Sequence, residues 1–233
     1  MALLGTIVNA LLIIIGVIVG SFLSKIPESM KDTVMKGIGL TVMVLGLSMG
    51  IKSNNFLIVI ICIVFGAILG ELMDLDGKLN TLGTWLEKKI GGNGTSNISQ
   101  AFVTATLIFV IGAMAVIGAL DSGIRGDHQV LYTKGMIDGF TAAILTTTLG
   151  IGVIFSSVPV FIYQGLIALF ATQINKLVPE ALLDSFIMEL TAVGGIMIFA
   201  IGMNLIGILK IKVANLLPGL LITAIIVPIL YFL

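Results

Sequence analysis

The sequence predicts an all-α polytopic membrane protein, a glycine-rich bundle of helices that cross the bilayer. Of its 233 residues, 58% are hydrophobic and only 10% are charged, whereas soluble domains have roughly 45–50% apolar and about 25% charged residues. Several uninterrupted apolar segments reach the roughly 20 residues that a helix needs to cross about 30 Å of hydrocarbon. The long apolar segments make the lipid bilayer the expected partner. The 12 basic residues balance the 12 acidic ones without forming a basic tract, so no nucleic acid is expected as a partner.

About eight segments, within a range of about seven to nine, are predicted to cross the membrane, because each is apolar and most are bounded by charged or turn-forming residues. They are 3–23, 34–51, 55–73, 101–120, 137–156, 158–175, 186–208 and 213–232. The junction at 156–159 carries no charge, so it fits either a tight turn inside the membrane or a broken helix.

The sizeable segment outside these spans covers residues 74–99. Leu82 and Trp85 recur there at helical spacing with other apolar side chains, which predicts an amphipathic helix lying on the membrane interface. Trp85 is expected to anchor this helix among the headgroups, and Gly91 and Gly92 are expected to end it.

Glycine is frequent, at 28 residues, and recurs at a four-residue spacing inside the spans. The pairs lie in GVIVG (16–20), GLSMG (46–50) and GAILG (66–70). Glycines four residues apart share one helix face, where neighbouring backbones can approach closely. The spacing therefore predicts tight helix packing, either within one chain or between two copies in a homodimer.

Two parts of the chain resemble each other. Residues 5–20 overlay residues 135–150, with glycines matched at both ends. This echo indicates an inverted-topology repeat with halves 1–73 and 135–233, inside a single transmembrane domain that covers 1–233. Matches among small and apolar residues also arise by chance in such sequences, and that alternative stays open.

Acidic side chains in the apolar segments are the first candidates for a functional site. An ionised side chain at the bilayer centre costs roughly 2.5–3.5 kcal/mol, so each buried acid needs a physical reason. Glu71 lies near the end of the third span, Asp138 opens the fifth and Glu189 starts the seventh. Each is interpreted either as a cap at a helix end, where the helix dipole stabilises an acid, or as a protonatable or cation-binding group along a pathway.

The other candidates are polar side chains in the spans and two charged side chains between the fourth and fifth spans. They are Asn9, Gln164, Asn204, Asn215, Asp121 and Lys134. Polar groups of this kind bind sodium or polar solutes at the discontinuous helices of secondary transporters. Na⁺ or H⁺ is therefore the expected coupling ion, and neither a metal site nor another cofactor is expected.

Helix breaks are predicted where glycine or proline interrupts an apolar segment. The predicted positions are Gly112, Gly118, Gly150, Gly152, Pro159 and Pro218. The segment 112–118, followed by Asp121, is interpreted either as an irregular hairpin that dips toward the midplane or as an external loop of turn residues.

Several motifs along nearly the whole chain carry a family resemblance. They are GTIVNA, GAILGE, GAMAVIGALDSG, LYTKGMIDGF, LGIGVIFSSVPVFIYQG, ELTAVGGIMI and NLLPGL. In this order and spacing, the sequence resembles the bacterial domain-of-unknown-function family 554. The resemblance implies a multi-pass inner-membrane protein, points to transport and brings no substrate. On the matching motifs it implies these site residues: Asn9, Glu71, Asp121, Lys134, Asp138, Gln164, Glu189, Asn215 and Pro218.

The sequence thus predicts a secondary transporter, dimeric, that moves a small polar solute or ion by alternating access with proton or cation coupling. A channel and a structural partner protein are the alternatives. A small acyltransferase-like membrane enzyme is a weaker alternative, because the Ser/His/Arg constellation of such enzymes is missing. More generally, His128 is the only histidine, and neither a Walker loop nor a Gly-x-Ser-x-Gly elbow is present. We therefore expect no enzymatic activity.

Overall fold

The computed structural model describes residues 2–23, 28–90 and 98–233. The α-helices are α1 (Leu4–Leu23), α2 (Glu28–Gly50), α3 (Phe56–Met73), α4 (Leu75–Ile90), α5 (Ile98–Val110), α6 (Ala113–Ile124), α7 (Gln129–Leu149), α8 (Ser157–Leu169), α9 (Ala171–Leu177), α10 (Glu180–Leu205) and α11 (Pro218–Phe232). Two 3₁₀ helices, Ile151–Ser156 and Val213–Leu216, precede α8 and α11. No strand occurs in these ranges.

Six of the described helices are long and apolar enough to cross a membrane, which confirms the all-helical membrane class. They are Leu4–Leu23, Asp32–Gly50, Phe56–Met73, Ile151–Leu169, Glu180–Leu205 and Val213–Phe232. The pair α5 and α6, bent by 60° at the break between them, would be a seventh span. The expected eight segments each overlap a helix or helix pair, but α7 is not apolar enough to be counted, because it carries Lys134 and Asp138.

Of the helix breaks predicted around this junction, α7 ends at Gly150, as expected, whereas Pro159 breaks no helix. Gly150 has φ 83°, which ends α7, and the 3₁₀ helix that follows runs directly into α8. Pro159 is the third residue of α8, and a first-turn N–H has no intrahelical partner, so a proline is tolerated there. The predicted boundary between spans 137–156 and 158–175 is therefore wrong.

The segment expected to be an irregular hairpin or an external loop is mostly helical. Gly112 (φ 145°) separates α5 from α6, but Gly118 lies inside α6 and does not interrupt it. A Cβ at Gly118 would stand 2.9 Å from the side chain of Leu131 on α7, so this glycine permits close packing. Gly152 lies within the first 3₁₀ helix, and Pro218 begins α11 without breaking it.

The chain forms two compact units, which are described separately. Unit 1 contains residues 1–32 and 82–177, and unit 2 contains residues 33–81 and 178–233. Each unit is built from two segments that are separated in the sequence. The predicted halves, 1–73 and 135–233, stay a prediction.

In unit 1, α1 and α7 pack side by side in the same direction through glycine. A Cβ at Gly16 would stand 2.0 Å from the carbonyl oxygen of Gly139, and one at Gly20 would stand 2.3 Å from that of Ala143. Backbone therefore contacts backbone, which is the role that the 16–20 spacing predicts. Gly123 of α6 approaches α8 in the same way.

In unit 2, the other two glycine pairs also lie at helix contacts. A Cβ at Gly46 of α2 would stand 2.3 Å from the backbone nitrogen of Phe199 on α10. Gly66 and Gly70 of α3 meet α11 and the 3₁₀ turn before it, and a Cβ at Gly70 would stand 1.9 Å from the carbonyl oxygen of Asn215. The predicted close packing within the chain is confirmed here as well.

The expected amphipathic segment 74–99 contains a helix, α4, over Leu75–Ile90. Asp74 ends α3 in the left-handed region with φ 48°, which lets the chain turn into α4. Trp85 is 52% exposed, and its role as an anchor among the headgroups stays a prediction. Gly91 and Gly92 lie outside the described residues.

Candidate functional site: a buried polar cluster

A Lys–Asp ion pair is buried inside unit 1. Lys134 and Asp138 are four residues apart on α7, so they lie on the same helix face. Their side chains are only 8% and 7% exposed, and the Lys134 Nζ donates to the Asp138 carboxylate. Removing one partner of a buried ion pair typically destabilises a protein by about 3–5 kcal/mol, because the other charge is left uncompensated.

Asp138 lies deeper in its helix than the sequence predicts. The fifth span was expected to begin at residue 137, with Asp138 as a first-turn cap, but α7 begins at Gln129. At 1.5 Å per residue, Asp138 is about 13 Å along the helix from its start. The interpretation of Asp138 as a helix cap is therefore wrong, and the burial of its charge needs another explanation.

Two amide side chains from other helices complete the polar centre. Asn9 of α1 and Gln164 of α8 are both fully buried, and Asn9 Nδ2 donates to Gln164 Oε1 at 3.1 Å. Asn9 also lies close enough to Asp138 to interact with its carboxylate. Gly135 of α7 permits this close approach of α1, because a Cβ at position 135 would stand 3.0 Å from the Asn9 Cα.

Three polar atoms of this centre have no hydrogen-bond partner among the described residues. They are Thr6 Oγ1, Asn9 Oδ1 and Gln164 Nε2. Thr6 lies one turn before Asn9 on the same face of α1 and is fully buried. An unsatisfied buried polar group typically costs about 1–3 kcal/mol, so such atoms call for a ligand or water. We refer to Thr6, Asn9, Lys134, Asp138 and Gln164 as the polar cluster.

Asp121 is not part of the polar cluster. It lies near the end of α6, where its carboxylate is 24% exposed and faces the largely exposed Arg125 at 3.6 Å. An exposed ion pair of this kind contributes at most about 1 kcal/mol. Asp121 therefore carries neither the burial nor the partners that a site inside the membrane requires.

Glu71 of unit 2 faces outward and is held by polar partners. Its side chain is 62% exposed, Lys212 Nζ donates to it at 2.6 Å and Asn215 Nδ2 donates to its other oxygen. The hydrogen bond and charge of Glu71 raise the pKa of Lys212 above its ordinary value. Asn215 Oδ1 also accepts from the Asp76 backbone N–H at 2.8 Å, so this group connects the end of α3 to α4 and to the 3₁₀ helix that precedes α11.

Glu189 is buried but satisfied by the chain itself. Its carboxylate accepts from Ser53 Oγ at 2.6 Å and from the backbone N–H groups of Asn54 and Asn55 at 3.0 and 3.2 Å. These donors stand at the start of α3, where the helix dipole stabilises an anion. Glu189 thus holds the α2–α3 turn, although it lies ten residues into α10 and not at its start.

Asn204 is also engaged locally. Its side chain donates to the Ile211 carbonyl oxygen at 2.7 Å and accepts from the Ile211 N–H at 2.8 Å, which closes the turn after α10. Because both the nitrogen and the oxygen of its side-chain amide are hydrogen-bonded within this turn, Asn204 has a structural role.

Of the candidate site residues, the structure brings together Asn9, Lys134, Asp138 and Gln164. The exposed Glu71 and the buried Asn215 are hydrogen-bonded to each other in a separate group, whereas Asp121, Glu189 and Asn204 each have other partners. Within unit 2, Glu71 and Glu189 share no hydrogen-bond partner. The sequence reasoning missed Thr6, although its position three residues before Asn9 is a visible signal.

The helices and the polar cluster define a multi-pass α-helical membrane protein with a charged centre enclosed in one of its units. The chain belongs to the family described as "Protein of unknown function (DUF554)", which matches residues 4–228. The "Uncharacterized membrane protein YdfK" of Bacillus subtilis (strain 168) is 33% identical over 228 residues, covering 96% of this chain and 95% of that protein. The "Uncharacterized protein YqgA" of Escherichia coli (strain K12) is 28% identical over 224 residues, covering 94% of each. No solved structure matches.

Proposed function

We propose that this protein is a secondary transporter that moves a small polar solute across the bacterial inner membrane, with proton or cation coupling through Asp138 and Lys134. The observation that carries the proposal is the polar cluster, which combines a buried ion pair with three unpartnered polar atoms. Apolar side chains of similar size would often stabilise a core at least as well as a buried ion pair. Binding is a reason to retain such a pair in a membrane, where ionisable groups commonly mark solute and ion pathways.

Two backbone breaks in unit 1 support an alternating-access mechanism. The α5–α6 pair bends at Ile111 and Gly112, and α7 gives way to a 3₁₀ helix at Gly150. Glycine at these points tolerates positive φ, so each break can absorb a change in backbone angle. Discontinuous helices beside a polar site are a recurring feature of secondary transporters.

The mechanism assigns a role to each charge. A proton that binds Asp138 removes the partner of Lys134, which makes the occupied and unoccupied states of the centre electrostatically different. A cation or proton gradient then drives the solute only if the protein carries the ion and the solute in the same transport step. We propose no enzymatic activity and no cofactor besides the coupling ion, and we propose a homodimer as the assembly.

The test is solute uptake by the purified chain in proteoliposomes under an imposed pH or Na⁺ gradient. The labelled probes are acetamide, glycine, acetate and Na⁺, and at least one is expected to accumulate above its equilibrium level. Asp138→Asn is expected to abolish accumulation, whereas Glu71→Gln, which alters an exposed ion pair, is expected to retain it. Sustained conductance without saturation would indicate a channel instead, and equal loss in both variants would remove the role of Asp138.

A further inference from the structure

The polar cluster offers a ligand no uncompensated charge. Lys134 and Asp138 are formally opposite and bonded to each other, and the other three members are neutral. With this ion pair intact, a charged solute that entered the cluster would be a third charge without a counter-ion, and burying an unpaired charge is strongly unfavourable. The electrostatics therefore favour a ligand with no net charge.

The unpartnered atoms specify the hydrogen bonds that the ligand must make. Asn9 Nδ2 donates to Gln164 Oε1, and the Asp138 carboxylate has no N–H or O–H that Asn9 Oδ1 could accept from. This arrangement leaves Asn9 Oδ1 as an acceptor and Gln164 Nε2 as a donor, both without partners among the described residues. The nearby Thr6 hydroxyl can donate or accept.

A primary carboxamide is the simplest complement to this pattern. It presents an N–H donor and a carbonyl acceptor on neighbouring atoms, so it can bond Asn9 Oδ1 and Gln164 Nε2 together. A carboxylate has no donor for Asn9, and an amidinium has no acceptor for Gln164. Each charged analogue would leave one buried atom of the protein unpaired, which lowers affinity.

We infer that the solute bound by the polar cluster is a small uncharged molecule with a carboxamide-like donor–acceptor pair, and not an ion. This inference rests on the proposed transport function, because it assigns the substrate class to the same site. It deepens that function by separating the solute, which is neutral, from the coupling ion.

Three isosteric probes test the inference, because acetate, acetamide and acetamidinium differ in charge and hydrogen-bonding groups while sharing one shape. Binding to the detergent-solubilised full chain is measured by calorimetry and thermal shift, and uptake is measured in proteoliposomes against protein-free vesicles. Acetamide is expected to bind about tenfold or more tightly than either ion.

Two variants keep the test decisive. Gln164→Glu replaces the donor with a carboxylate of the same shape, so it is expected to lose acetamide binding and to prefer acetamidinium. Thr106→Val removes a buried unpartnered hydroxyl on α5, outside the polar cluster, and is expected to keep the wild-type order. A Gln164→Glu protein that folds but keeps its preference for acetamide would overturn the inference.

The outcomes separate the inference from the proposed function. Acetamide binding without uptake supports the ligand class and contradicts transport. Gradient-driven uptake of acetate or acetamidinium in preference to acetamide supports transport and overturns the ligand class. Failure of all three probes to bind, with the cluster holding only water, also overturns the ligand class.

Discussion

The charge balance of the polar cluster leads to a sharp prediction about stability. Lys134→Met leaves the Asp138 carboxylate buried without its cation, and Asp138→Asn leaves the Lys134 ammonium without its anion. Each single change is expected to destabilise the fold by about 3–5 kcal/mol, whereas the double change removes both charges and is expected to stay within about 1–2 kcal/mol of the wild type. The double-mutant cycle is then expected to give a coupling free energy on the order of 4 kcal/mol or more.

The free energies come from reversible unfolding in mixed detergent and SDS, followed by far-UV circular dichroism. The matched control is the exposed pair of Glu71 and Lys212, whose side chains are 62% and 55% exposed. Lys212→Met is expected to leave the transition close to that of the wild type, because solvent screens its charge. Single changes at Lys134 and Asp138 that cost no more than this control, or that add without coupling, would refute the electrostatic reasoning.

Three further predictions concern the backbone and unit 2. Gly16→Ala is expected to lower the melting temperature strongly because its Cβ would stand 2.0 Å from a facing carbonyl oxygen, whereas Gly37→Ala, with no atom within 4 Å of its Cβ, is expected to keep or raise it; equal effects would contradict the packing. Gly150→Ala is expected to destabilise by about 1–2 kcal/mol because of its positive φ, and Pro159→Ala to change stability little; the reverse order in SDS unfolding would place the break at the proline. Glu189→Leu is expected to speed hydrogen exchange at the start of α3, where three hydrogen bonds are lost. Unchanged exchange there would show that Glu189 does not stabilise this turn.

The membrane class was predictable because composition alone requires long apolar helices. Helix boundaries were harder to predict from the sequence, and α7 shows why. Its first residues, starting at Gln129, include polar side chains, and their low hydropathy predicts a loop. In the structure they form the first turns of the helix that packs against α1. Burial against another helix, which is invisible in a linear pattern, decides where such a segment begins.

Most residues of the polar cluster could be predicted from the sequence, but which of them lie together in the structure could not. Lys134 and Asp138 are four residues apart, so their pairing follows from helix geometry. Asn9 and Gln164 are separated by 155 positions, and their contact depends on how α1, α7 and α8 pack. For Glu189, the sequence shows a costly acid but not the backbone donors at the start of α3 that satisfy it.

The carboxylate of Glu189 joins the middle of α10 to the α2–α3 turn by hydrogen bonds, so we expect the two segments to move together. This carboxylate accepts three hydrogen bonds, from two consecutive backbone amides and a hydroxyl. A tilt of α10 therefore either moves the beginning of α3 with it or breaks these hydrogen bonds. These hydrogen bonds couple the two segments of unit 2, so probes attached at Asn55 and on the outer face of α10 near Glu189 should keep a constant separation throughout the transport cycle proposed above.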